Sequence, residues 1–202
     1  MLKGSKKRIC VFCASADGNT PEYLQAARDL GRKIAEAGFG LVYGGASVGL
    51  MGAVADAAIT AGGEVIGVIP DIIMEREIGH TGLTELHIVR TMHERKALMA
   101  DKSDAFVALP GGFGTLEEFI EIVTWAQLRI HRKPCVLLNL NSYYDGLLAF
   151  FDHAVEQGLI KVENRDLIKM AHNANEVLEI ISQEWDTKQQ MPTDTKLDEL
   201  VR

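Results

Sequence analysis

Arg8-Ile9-Cys10-Val11-Phe12-Cys13-Ala14 and Gly40-Leu41-Val42-Tyr43 are two short apolar runs. Between them residues 21–37 place Leu24, Ala27, Leu30 and Ile34 at helical spacing, with Gly38 as the stop. Strand, helix and strand in that order make a βαβ unit. Working outward, residues 64–69, 86–90, 104–109 and 134–138 are further candidate strands, each followed by turn or helix signals. Their nearly unbroken apolar character implies that both sheet faces are covered by helices. The fold class expected is α/β, a Rossmann-like doubly wound parallel sheet.

The 202 residues suffice for one compact core, which buries roughly two-thirds of the surface its unfolded chain exposes. Hydrophobic residues at 47% and charged residues at 24% match ordinary globular composition. No repeat or linker divides the chain, so residues 1–186 read as one nucleotide-binding catalytic domain and residues 187–202, polar and containing Pro192, as a loose tail with at most a short helix. Residues 71–84 mix apolar and charged side chains without a period and read as an irregular loop beside the site. No apolar run approaches the ~20 residues that span a bilayer, and residues 1–8 lack the apolar stretch of a secretory signal, so no membrane partner and a cytoplasmic address are expected. The net charge of −7 argues against a nucleic-acid polymer as partner and leaves room for a small anion. Cys10, Cys13 and Cys135 make no even disulfide framework. In a strand, Cys10 and Cys13 point to opposite faces, so they read as buried strand cysteines and not as a zinc or redox pair.

Three small-residue turns follow predicted strands, where open α/β sheets place their ligands. The first is Ala14-Ser15-Ala16-Asp17-Gly18-Asn19-Thr20, with Asn19 or Thr20 as helix cap. The second runs from Tyr43-Gly44-Gly45-Ala46 into a helix over 51–61, where glycines admit close approach and the helix N-terminus favours an anion. The third, Leu109-Pro110-Gly111-Gly112-Phe113-Gly114-Thr115-Leu116-Glu117-Glu118, joins a backbone anion nest to Thr115, which can cap the helix or donate to a phosphate. No Lys-Ser or Lys-Thr pair and no Gly-x-Gly-x-x-Gly follows, so Walker and dinucleotide readings lose support. On the helix after it, Phe119, Ile120, Val123, Ala126 and Ile130 form the expected core face, with Glu117, Glu118 and Glu121 off it. A carboxylate beside an anion nest suits an oxocarbenium-like sugar cation or an attacking water. Thr91-Met92-His93-Glu94-Arg95-Lys96 opens a further helix, where Arg95 and Lys96 suit a monophosphate. His93 has no partner at metal-ligand spacing and reads as structural or capping. No metal site is expected.

These residues resemble the Lonely Guy family of cytokinin-activating phosphoribohydrolases, whose hallmark Pro-Gly-Gly-x-Gly-Thr-x-x-Glu is matched in full by Pro110 to Glu118. Met92 to Lys96, the turn from Tyr43 to Gly52 and the opening Val11 to Ser15 are similar as well, so the likeness covers roughly residues 8–181. The resemblance implies hydrolysis of the N-glycosidic bond of a purine-type nucleoside 5'-monophosphate, cytokinin riboside or adenosine, to free base and ribose 5-phosphate, without a cofactor. It implies Arg95 and Glu118 as the catalytic pair. Substrate contacts are implied at Glu77, Lys96, Gly112, Phe113, Gly114, Thr115, Leu116, Glu117 and Thr124, to which the turns add Ser15, Gly44 and Gly45. It also implies a homodimer in which Thr124 lies near a shared site. Members are often mislabelled lysine decarboxylases, but nothing around Lys96 or Lys102 shows the pattern of a pyridoxal-phosphate site. Ala14 and Ala46 replace frequent glycines and bear on pocket width. A non-catalytic nucleotide carrier or sensor would share the fold.

Overall fold

The computed structural model describes residues 6–77 and 79–190, without the side chains of 75–77 and 188–190. Seven parallel strands form one sheet: β1 (Arg8–Phe12), β2 (Gly40–Tyr43), β3 (Val65–Pro70), β4 (Glu85–Val89), β5 (Ala105–Ala108), β6 (Cys135–Leu138) and β7 (Ile168–Ala171), in the order β4-β3-β2-β1-β5-β6-β7. The chain builds outward from β1 to β4, then returns to place β5 against the other side of β1. The topological switch point therefore lies between β1 and β5, where ligands of open α/β sheets bind beyond the carboxyl ends.

Helices cover both faces, as continuous burial along β2, β3, β5 and β6 requires. Ile9, Val11, Leu41, Tyr43, Val107 and Val136 pack on one side with α1 (Pro21–Glu36), α2 (Gly49–Thr60) and α8 (Ala174–Gln190). Cys10, Phe12, Val42, Phe106 and Leu137 pack on the other with α4 (Met92–Asp101), α5 (Phe113–Gln127) and α6 (Asp145–Glu156). Cys10 and Cys13 thus fall in opposite layers, buried and free, as strand alternation demands.

Several local expectations are corrected. Residues 71–77 form a helix, α3 (Asp71–Glu77), in which the Asp71 carboxylate accepts a hydrogen bond from the Ile72 N–H at 2.6 Å. Two turns are too short for a period to show. The segment after it docks on the second glycine turn: Gly79 pairs with Ala46 as an antiparallel bridge and the His80 N–H donates to the Gly45 carbonyl at 3.0 Å. The last helix runs through Gln190, past the expected boundary at 187, and residues 191–202 lie outside the described chain. Ile130 leaves the core face and is 50% exposed, because α5 ends at Gln127. Arg129 adopts φ 62°, and its N–H and that of Ile130 donate to the carbonyls of Ala126 and Trp125, the paired bonds of a Schellman stop.

Candidate active site

The β1, β2 and β5 turns converge at the switch point around a cavity of about 390 Å³. Ser15, Gly44, Arg95, Gly112, Phe113, Gly114, Thr115, Glu117 and Glu118 all line it. Gly112 is the N-cap of α5, so the N–H groups of Phe113, Gly114 and Thr115 are its unpaired first-turn donors. A side chain on Gly112 or Gly114 would meet nothing, which leaves the cradle open above the helix end. A side chain on Gly111 would strike Thr115 Oγ1 at 2.1 Å, so the buried threonine occupies the space that this glycine vacates. Thr115 sits inside the first turn and does not cap it.

Arg95 and Glu118 meet on the cavity wall. Thr91, and not His93, caps α4: its hydroxyl accepts from the Glu94 N–H at 3.1 Å, while the Glu94 carboxylate accepts from the Arg90 N–H at 2.8 Å. That start turns Arg95 and Lys96 inward, leaving each 8% exposed. Arg95 donates from Nε to the Val68 carbonyl at 3.1 Å and from Nη2 to the Gly44 carbonyl at 3.3 Å, and its Nη1 pairs with Glu118 Oε1 at 3.0 Å. Glu118 is itself buried, contrary to the helical-face reading that set it off the core with Glu117 and Glu121. Two buried charges are tolerable because each meets the other and the guanidinium finds carbonyl acceptors besides.

Lys96 lies behind this pair. Its ammonium donates to Glu117 Oε1 at 2.5 Å and sits 3.0 Å from Glu121 Oε2. Burial alone would lower its pKa, but the hydrogen bonds and charges of both glutamates outweigh that and raise it. Cys13 also lines the cavity, yet burial and the Glu118 charge push its thiol well up, so it stays protonated. Among the described residues, no three His, Cys, Asp or Glu side chains are grouped to hold a metal.

Residues 51–181 match the family described as "Possible lysine decarboxylase". A cytokinin riboside 5'-monophosphate phosphoribohydrolase of Arabidopsis thaliana is 52% identical over 176 residues, covering 87% of this chain and 81% of that protein. The chain belongs to the Lonely Guy family. A second Arabidopsis phosphoribohydrolase of the same designation is 50% identical over 178 residues, 88% of this chain and 83% of its own. The molybdenum cofactor carrier protein of Chlamydomonas reinhardtii shares the fold, with a TM-score of 0.68 at 24% identity over 90% of this chain and 99% of that one.

In this Lonely Guy protein the remaining candidate residues are dispersed. Gly45 sits one step behind the cavity against Val68 and Ile69, and Leu116 packs on the α5 side of the core. Thr124 is exposed on α5, its hydroxyl donating to the Ile120 carbonyl at 2.8 Å. Glu77 closes α3, and its side chain lies outside the described residues. Of the two alanines, only Ala14 faces the cavity, whereas Ala46 is buried beneath its turn. Met51 and Met92 line the wall without having been singled out. Their signal was position, in the first turn of a helix that directly follows a strand-end turn.

Proposed function

We propose that this Lonely Guy protein hydrolyses the N-glycosidic bond of a cytokinin riboside or adenosine 5'-monophosphate, yielding free base and ribose 5-phosphate. The observation that carries it is the buried Arg95–Glu118 pair, 3.0 Å apart, on the wall of a cavity whose other side is an open glycine cradle at a helix N-terminus. The cradle suits the 5'-phosphate, since exposed N–H groups and the helix dipole both favour an anion. Glu118 then faces the ribose, stabilises positive charge developing at C1′ and aligns water for attack. The C1′–N bond breaks, its electron pair leaves with the base, water oxygen bonds to C1′, and one water proton passes by way of Glu118. The base regains a proton from solvent or from Glu77. Arg95 neutralises Glu118 between turnovers and fixes its direction. Lys96, held by two glutamates, acts through Glu117.

Both named Arabidopsis relatives carry phosphoribohydrolase designations, which supports the same reaction here. A decarboxylase using a Schiff base needs an amine in the cavity, and no lysine is among the described residues that line it. Purified protein incubated separately with AMP and with isopentenyl-adenosine monophosphate is expected to release base and ribose 5-phosphate, detected chromatographically. Bound but intact nucleotides would instead support a carrier. Glu118→Gln is expected to abolish turnover while preserving the melting profile, and full activity in that variant refutes the role.

A homodimer belongs to the same proposal. Glu117, Glu121 and Thr124 follow one another along one stripe of α5, Leu128 and Ile130 are exposed just past its end, and Ile88 is exposed on edge strand β4. Light scattering at twice the chain mass checks it. No helix among the described residues is long and apolar enough to cross a membrane, and the proposal keeps the cytoplasmic address expected from the sequence.

A further inference from the structure

Two tyrosines outside the glycine motif hold its backbone from behind. The Tyr143 hydroxyl donates to the Gly111 carbonyl at 2.8 Å, and the Tyr144 hydroxyl donates to the Leu109 carbonyl at 2.7 Å. Neither ring lines the cavity. The short helical turn Leu140–Ser142 delivers them through two consecutive residues in left-handed backbone, Asn141 at φ 48° and Ser142 at φ 61°, a conformation L side chains disfavour. The buried Asn139 side chain secures this turn, accepting from the Tyr144 N–H at 2.7 Å and donating to Asp145 at 2.6 Å. Tyr143 also meets the Tyr23 ring edge-on at 5.9 Å, and Tyr23 in turn fills the space beside Gly18. Tyr143 therefore touches both sides of the switch point: the β5 turn through its hydroxyl, and the turn after β1 through Tyr23.

The two hydroxyl bonds have different consequences. In a planar trans peptide the carbonyl and the following N–H point in opposite directions. Holding the Gly111 carbonyl on Tyr143 therefore directs the Gly112 N–H the other way, and Gly112 lines the cavity. The Leu109 carbonyl is followed by Pro110, which has no N–H to direct. We propose that Tyr143 is a positioning residue that aims the Gly112 N–H at the 5'-phosphate, whereas Tyr144 makes an equivalent bond that serves stability alone. This rests on the reading of the glycine cradle as the phosphate site.

The test compares wild type, Tyr143→Phe and Tyr144→Phe in three measurements: calorimetric binding of inorganic phosphate and of ribose 5-phosphate, steady-state hydrolysis of the nucleotide, and thermal unfolding. Tyr143→Phe keeps both ring contacts and loses one hydroxyl from a side chain that is 44% exposed, so it folds. Losing a well-aimed donor is expected to weaken both anions about three- to tenfold and to raise KM in parallel, with kcat changed less than about twofold. Tyr144→Phe strands a buried carbonyl and is expected to lower Tm with anion binding and KM unchanged. Unaltered anion binding in Tyr143→Phe overturns the proposal, as does equal weakening in Tyr144→Phe. Because phosphate binding is measured without turnover, a wild type that binds phosphate and leaves nucleotides intact refutes the hydrolase and still tests Tyr143.

Discussion

Replacing Gly44 by alanine tests how the Arg95–Glu118 pair is held. A methyl at this position would lie 2.2 Å from Arg95 Nη2 and 2.8 Å from Met51 Sδ, whereas ordinary contact begins near 3.4 Å. The thioether sits on a flexible chain and can yield. The guanidinium cannot, because its Nε is bonded to the Val68 carbonyl and its Nη1 to Glu118. Clearing the methyl requires Nη2 to move by more than an ångström, which takes these bonds out of range. Overpacking of this kind costs about 1–3 kcal/mol of stability, a fall in Tm of about 2–12 °C for a chain of this length. An ångström-scale misplacement of a catalytic group costs on the order of 10²-fold in rate. The assay is base release at saturating nucleotide beside a thermal melt, with Gly146→Ala as control. That exposed glycine lies within α6 with open space beside it, so alanine there is expected to stabilise by roughly 0.5–1 kcal/mol and leave the rate alone. Full turnover in Gly44→Ala at an unchanged Tm would refute the arrangement.

Arg129→Gly relieves a left-handed arginine at the end of α5 while keeping both Schellman bonds, so Tm should rise by about 2–4 °C; a fall would show that the arginine side chain contributes more than its backbone costs. Lys96 has its pKa raised above 10.5 in the folded chain, so its contribution to stability is complete below that value and drains as pH climbs through the folded pKa. Denaturation midpoints of wild type are therefore expected to drop more steeply into the alkaline range than those of Lys96→Met, which should be less stable near neutrality. Identical pH profiles for the two would remove Lys96 from this role. Burial and the Glu118 charge hold the thiols of Cys10 and Cys13 up, and Cys135 is buried too, so maleimide at neutral pH should leave all three unlabelled until the chain is unfolded. Rapid labelling of the native protein would contradict this packing.

The architecture was legible where both faces of a strand are buried. The runs over 9–14, 40–43, 65–69 and 105–109 are apolar throughout because helices cover them on both sides, and one βαβ unit fixes the handedness and parallel sense of the rest. Strand β7 escaped for the opposite reason. Ile168-Lys169-Met170-Ala171 is an edge strand with exposed middle positions, and Lys169 reaches Glu184 at 3.4 Å instead of entering the core. The end of α5 escaped because no glycine marks it. Phe119, Val123, Ala126 and Ile130 keep helical spacing on paper, and only the left-handed Arg129 shows that the last of them has left the helix.

The site divides in the same way. A turn of glycines at the end of a strand announces itself locally, so the cradle from Pro110 to Glu118 and the inward pair Arg95 and Lys96 could be found from residue order. What those residues touch could not. Periodicity separates apolar from polar faces, but it cannot distinguish water from a polar cavity, and this is why Glu118 reads like its exposed neighbour Glu117 and yet lies buried against Arg95. The tyrosine bonds to Leu109 and Gly111 join residues more than thirty positions apart and leave no local mark. The fold itself is indifferent to function, being shared with a molybdenum cofactor carrier at 24% identity. The buried ion pair is not indifferent. Apolar residues of similar volume commonly replace such pairs at no loss of stability, so packing alone gives no reason to hold Arg95 against Glu118 at a cavity wall. The proposed reaction, which develops positive charge on a phosphate-anchored sugar, supplies such a reason.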